Sequence, residues 1–166
     1  VDAVGNFNNI AFGKNHQHPR MRLPGSGGIP DVTVSSKHIF LYVPRHSRLT
    51  FAEKLDFVSG MGHVSHRLRG QGPNYLITDL GQFDWANGRM RLTNPHPDVS
   101  IKKIQRKTGF DLEIAPNIHE TPAPTDEEIR LLREEIDPLG VRKLETLGGS
   151  ARKQLLREIL EKEHAY

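Results

Sequence analysis

"HIFLYVP", residues 38–44, is a continuous apolar run carrying Phe40 and Tyr42, bounded by a histidine and a proline. A run without polar alternation is the pattern of a strand covered on both faces, as in the parallel sheet of an α/β protein. Downstream, "NYLITDLGQFDW" (74–85) predicts a strand, a bend at Gly81 and a second strand. An "ANG" turn (86–88) then returns the chain through "RMRLTNPHP" (89–97) as a hairpin. "DVSIKKIQRKTG" (98–109) predicts a helix with Asp98 as N-cap, Val99, Ile101 and Ile104 inward, and Gly109 as its stop. "FDLEIAP" (110–116) reads as a further strand.

The flanks are less regular. "GNFNNIAFG" (5–13) reads as a turn entering a short strand, and "KNHQHPRMR" (14–22) as a polar loop. "DVTVSS" (31–36) is either strand or helix start. "RLTFAEKLDFVSG" (48–60) follows neither period, which suits strand and loop pieces joined by a turn, and "GMGHVSHRLRGQGP" (60–73) is a Gly-rich loop. After the Pro-rich "HETPAPT", the stretch "TDEEIRLLREEIDPLG" (125–140) is a helix with a T-x-x-E capping box at Thr125 and Glu128. Ile129, Leu132 and Ile136 form its apolar stripe, and Pro138 and Gly140 end it. "SARKQLLREILEKE" (150–163) is a charged amphipathic helix, a tail or a surface for a partner. Strands alternating with helices make the fold class α/β, with no dividing linker.

Composition narrows the chemistry. The 166 residues suffice for one domain with a core, and a mean hydropathy of −0.55 is on the polar side. There is no cysteine, so disulfides, thiolate catalysis and Cys-based zinc sites are excluded. The net charge of +3 is modest, and "RHSR" (45–48), "HRLR" (66–69) and "KKIQRK" (102–107) are scattered and poor in aromatics, so each reads as a solvated face rather than a nucleic-acid stripe, with a patch for the phosphates of a small anionic ligand as the alternative. No apolar run approaches the length that crosses a bilayer. The expectation is a cytoplasmic protein that binds neither nucleic acid nor membrane. Histidine pairs at 16/18 and 63/66 fall short of the convergent ligands a metal needs, so no metal is expected.

One motif invites a ligand. "LPGSGGIPDV" (23–32) packs three glycines into four positions between two prolines. It fits neither the P-loop, which needs G-K-[ST], nor G-x-G-x-x-G. Two readings stay open: a plain turn forced by the prolines, or a bare backbone at Gly27 and Gly28 whose N–H groups meet an oxyanion or phosphate. The trio Asn6, Asn8 and Asn9 likewise suits either a substrate carbonyl or an Asx-turn, the latter favoured by sequence alone.

In order along the chain, "DAVGNFNN", "RLPGSGGIPDV", "FVSGMGH", "LITDLGQFDW", "GRMRL", "HPDVSIKKIQRKTGFDL" and "PTDEEIRLLREEIDPLG" resemble the β subunit of family I CoA-transferases, the glutaconate CoA-transferase type. The resemblance runs to about Gly140. It implies that family's open sheet with flanking helices over residues 1–147, as the C-terminal portion of a β-subunit domain, followed by a charged helical tail, 148–166. It also implies an α subunit as partner in a hetero-oligomer, with acyl-CoA and carboxylic acids as substrates and no permanently bound cofactor. By the same resemblance Gly27 and Gly28 are backbone oxyanion donors, and Gly25, Ser26, Asn8 and Asn9 face the CoA thioester.

The family's chemistry is covalent. A glutamate in a Glu-x-Gly context attacks the thioester, and CoA is carried as a glutamyl thioester to the acceptor acid. No glutamate here is followed two residues later by glycine. The nucleophile is therefore expected outside this chain, in a polypeptide that is incomplete or processed at Val1. Relatives without that glutamate imply a CoA-ester hydrolase or decarboxylase on the same scaffold as the alternative, and a non-catalytic scaffold subunit as a further one.

Overall fold

The computed structural model describes residues 1–164, and its contacts divide the chain into two units, Val1–Thr121 and the segment from Pro122 onward. In chain order the first unit carries β1 (Ala11–Phe12), β2 (Met21–Arg22), α1 (Ile29–Ser35), β3 (Phe40–Val43), β4 (Tyr75–Thr78), β5 (Gly81–Ala86), β6 (Arg89–Pro95), α2 (Ile101–Lys107) and β7 (Glu113–Ile114). β1 and β2 pair as a small antiparallel ribbon, while the other strands form one mixed sheet in the order β3-β4-β5-β6-β7. Its outer pairs are parallel and its inner pairs antiparallel.

The centre of the sheet follows directly from period-two patterning. Leu76 and Thr78 on β4, Phe83 on β5, and Met90 and Leu92 on β6 are buried on one face, with Leu76 opposite Phe83 and Phe83 opposite Leu92. Between β5 and β6, Asn87 and Gly88 take φ of +50° and +75°, the pair of left-handed conformations that a two-residue hairpin turn demands. Ile104 of α2 closes over this face together with Phe51, Leu80 and Leu112. Each such large apolar side chain stabilises the fold by about 1.5–3 kcal/mol.

β3 departs from expectation. Leu41 and Val43 pack on the core, but Phe40 is 70% and Tyr42 56% exposed. The strand is terminal in the sheet, and among the described residues only one of its faces is covered. At the start of α2 the cap is Ser100, whose hydroxyl accepts the Lys103 N–H at 3.2 Å, while Asp98 sits at φ +62° in the preceding turn. Thr108 rather than Gly109 ends the helix, its N–H reaching the Ile104 and Gln105 carbonyls. Gly109 is small for another reason: a Cβ there would strike the Phe51 carbonyl oxygen, which accepts the Gly109 N–H at 2.7 Å. "DVTVSS" resolves as helix, with Pro30 in the first turn of α1. Residues 48–60 contain no strand, and Phe51 enters the core from a loop.

The second unit holds α3 (Asp126–Arg130), a π-helical turn (Leu131–Ile136), α4 (Lys143–Thr146) and α5 (Gly149–His164). The capping box forms in both directions, Thr125 Oγ1 accepting the Glu128 N–H and Glu128 Oε2 the Thr125 N–H. The wider turn brings Glu135, five residues on, to 2.9 Å from Arg130, which also holds Glu127. The expected apolar stripe is not buried: Leu132 is exposed and Ile136 is 72% exposed. Among the described residues no helix is long and apolar enough to cross a membrane.

Candidate functional site

The glycine turn is held in place by the β1–β2 ribbon. Arg20 N–H donates to the Phe12 carbonyl at 2.8 Å, Leu23 N–H to Ile10 at 3.0 Å, and Gly25 N–H to Asn9 at 2.8 Å. Residues 20–25 therefore run back along residues 9–12, and the turn ends up against Asn9. Gly25 and Gly27 adopt φ of +106° and +47°, conformations that residues with a Cβ rarely take. Gly28 then becomes the N-cap of α1 at an ordinary φ of −84°.

This turn is bare. A Cβ added at Gly25, Gly27 or Gly28 would meet nothing within 4 Å, and all three glycines are exposed. The N–H groups of Ser26, Gly27 and Gly28 have no hydrogen-bond partner among the described residues, whereas the neighbouring Ile29 N–H is taken by the Ser26 carbonyl at 2.8 Å. Consecutive unpaired N–H donors on an open turn are suited chemically to an anionic or carbonyl oxygen.

The asparagines separate into different roles. Asn8 Oδ1 accepts the Ile10 and Ala11 N–H groups at 2.9 and 3.3 Å, and its Nδ2 donates to the Ala11 carbonyl, so its amide is committed to an Asx-turn. Asn6 bridges Asp2 and the Gly62 N–H. Asn9 holds the glycine turn through its carbonyl and Ser59 Oγ through its N–H at 2.8 Å, leaving its side-chain amide without a partner among the described residues.

Asn8 and Asn9 line a cleft of about 300 Å³ whose walls are mainly apolar, with Phe7, Phe12, Leu41 and Leu55 among them. The glycines do not line it; they reach its rim through the Gly25–Asn9 bond. The wall from β3 and the loop carrying Leu49 and Leu55 lies outside the site residues expected from the sequence. The usable signal is the glycine pair of "SGMG": Gly60 bridges to Phe7, and Gly62 leaves room for the Val4 carbonyl, so this loop clamps the Asn-rich turn.

One histidine of each pair makes a structural contact. His63 Nε2 donates to the Pro73 carbonyl at 2.7 Å and its ring stacks on Trp85. His16 meets the Phe57 ring edge-on. Among the described residues no three His, Cys, Asp or Glu side chains are grouped to hold a metal.

No family model matches the chain. It is 36% identical over 142 residues to the β subunit of 3-oxoadipate CoA-transferase from Pseudomonas knackmussii, covering 80% of this chain and 54% of the relative. It is 34% identical over 148 residues to the β subunit of glutaconate CoA-transferase from Acidaminococcus fermentans, covering 83% and 54%. The cholesterol ring-cleaving hydrolase IpdB subunit of Rhodococcus jostii is 30% identical over 151 residues, covering 86% and 58%. The crystal structure of Rhodococcus jostii IpdAB superposes with a TM-score of 0.76 over 86% of this chain and 60% of that one, at 30% identity. The chain spans about half the length of the curated relatives it matches. In sequence and in fold it belongs to the protein family of the CoA-transferase β subunits.

Proposed function

We propose that this chain is part of the β subunit of a CoA-transferase that moves CoA between short carboxylic acids, dicarboxylic acids among them, and that it works with an α subunit. The bare turn at residues 25–28 carries the reading: its free N–H groups, from Ser26 to Gly28, suit the oxyanion that forms each time a carboxylate or thiolate adds to an acyl carbon. A glutamate carboxylate outside this chain adds to the thioester carbon, the C–S bond breaks, and CoA leaves as thiolate. The thiolate then adds to the glutamyl carbon of the anhydride, releasing the first acid and leaving a glutamyl-CoA thioester. The acceptor acid reverses these two steps. Splitting the exchange in this way is nucleophilic catalysis. Gly27 and Gly28 act as the oxyanion donors, with Gly25 and Ser26 shaping the turn. Asn9 offers a free amide at the rim, whereas Asn8 contributes by holding the wall.

The IpdB likeness favours a second reading, hydrolysis of a CoA ester in the same cleft. One experiment separates them. The complete protein, with whatever subunit co-purifies, is incubated with an acyl-CoA and an acceptor acid and examined by intact mass and product analysis. Transfer to the acceptor with a CoA adduct on the protein is the expected result. Free acid without transfer assigns the hydrolase, and absence of any acyl-CoA binding rejects both. Gly28→Val then tests the turn itself. Its backbone φ of −84° admits a side chain and nothing stands within 4 Å, so the fold tolerates it, while the isopropyl group covers the donors. Loss of about 2.7–4 kcal/mol of transition-state stabilisation lowers kcat ~100- to 1,000-fold. Unimpaired turnover would remove the turn from the mechanism.

A further inference from the structure

A second recess opens beside the cleft. It has a volume of about 140 Å³, and Asn8, Phe12, Leu49 and Leu55 line both, so the apolar cleft continues into it. Its other walls carry Arg20, Arg48 and Lys54, which come from the β1–β2 ribbon, the turn at 47–50 and the loop that follows. None of these three cations has an ion-pair partner among the described residues. The one carboxylate on the lining, Asp56, uses Oδ2 to accept the Gly13 N–H at 2.7 Å.

The backbone beneath Arg20 and Arg48 is fixed. Arg20 N–H donates to Phe12, and the Ser47 carbonyl accepts both the Thr50 and Phe51 N–H groups at 3.0 and 2.8 Å. With three cations to one carboxylate, the lining is net positive and attracts an anion. The recess has less than half the volume of the cleft, which suits one anionic group at the end of a ligand whose apolar part lies next door. We propose that Arg20, Arg48 and Lys54 form an anion pocket that grips an oxyanionic end of the acyl-CoA substrate and thereby sets substrate preference. This rests on the acyl-CoA reading above. Two parts of such a substrate share the chemistry: the free carboxylate of a dicarboxylic acyl group, and a phosphate of CoA.

The test is calorimetric binding of glutaryl-CoA, butyryl-CoA and their dephospho-CoA counterparts to the complete protein and its R48A, R48K, R20A and K54A variants. Circular dichroism checks that each variant is folded. Losing one charge-assisted contact weakens binding about tenfold or more, and R48K retains part of it. If the carboxylate is the occupant, R48A weakens glutaryl-CoA but leaves butyryl-CoA unaltered. If a phosphate is the occupant, R48A weakens both acyl-CoA esters equally, and the deficit disappears with dephospho-CoA when the group held is the 3′-phosphate and persists when it is the diphosphate. Lys102→Ala, on the exposed side of α2, serves as the control for general charge and binds as wild type. Wild-type binding that none of R48A, R20A and K54A changes overturns the anion pocket alone. A wild-type protein that binds no CoA thioester overturns the functional reading and this inference together.

Discussion

Acidification is expected to destabilise this protein through one buried histidine. His46 is 2% exposed, stacked face to face on Phe51 at 3.9 Å, with Nδ1 at 3.3 Å from Thr78 Oγ1 and Nε2 at 3.0 Å from Thr108 Oγ1. Thr108 donates its own proton to the Ile104 carbonyl at 2.9 Å, so its oxygen can only accept, which places the imidazole proton on Nε2. Nδ1 is left facing a Thr78 oxygen that already accepts the Leu80 and Gly81 N–H groups. Burial therefore pushes the His46 pKa down from 6.5 to about 4, with Asp79 opposing the shift and Lys107 adding to it. The unfolded chain takes up the proton first, so the stabilisation is present above the unfolded value of 6.5 and is lost as pH falls toward the folded value of about 4. The loss is about 2 kcal/mol between about pH 7 and about pH 5, with a ceiling of about 3 kcal/mol. Urea unfolding across this range, beside His46→Gln, reads it. The glutamine keeps a donor and an acceptor but does not titrate, so its stability is lower throughout and its pH slope flatter. Equal slopes for the two proteins, or an NMR titration of His46 with a midpoint near 6.5, would refute the burial argument.

Two further perturbations act on the scaffold. Gly62→Ala drives a methyl group into the Val4 carbonyl oxygen and the Gly5 carbonyl carbon, neither of which is a movable side-chain end, and costs about 3 kcal/mol in urea unfolding. Gly148→Ala, with nothing within 4 Å, should stay within about 0.5 kcal/mol of wild type, and equal effects at both glycines would contradict the packing account. Thr125→Ala removes the acceptor for the Glu128 N–H and loosens the first turn of α3 by about 1 kcal/mol, read as faster amide exchange over residues 126–130. Unchanged exchange there would mean that the box contributes nothing.

What the sequence made legible was whatever depends on near neighbours. The β5–β6 hairpin could be read because Asn87–Gly88 supplies the left-handed pair and the flanking residues alternate. The capping box could be read because Thr125 and Glu128 meet within one turn. The surroundings of β3 could not, since Phe40-Leu41-Tyr42-Val43 is apolar on both sides whether one face is covered or two. Asp98 and Ser100 are both good caps. Their choice is made by Asp98's left-handed φ in the turn after Pro97, which composition does not announce.

His46 marks the same boundary from inside the core. In "RHSR" it looks like its exposed neighbours Arg45 and Arg48, and the hydroxyls that make its burial tolerable come from Thr78 and Thr108, 32 and 62 residues away. The glycine turn follows suit. Its conformation is local and was legible, but its place is set by the Gly25–Asn9 bond, and Asn9 is in turn held by Ser59, 50 residues on. An open turn with free N–H donors thus differs from an ordinary one only in which distant segments stay out of its way. Residues 26–28 keep their N–H groups free because no other described segment folds over them, and that is a property of the whole unit rather than of "PGSGGIP".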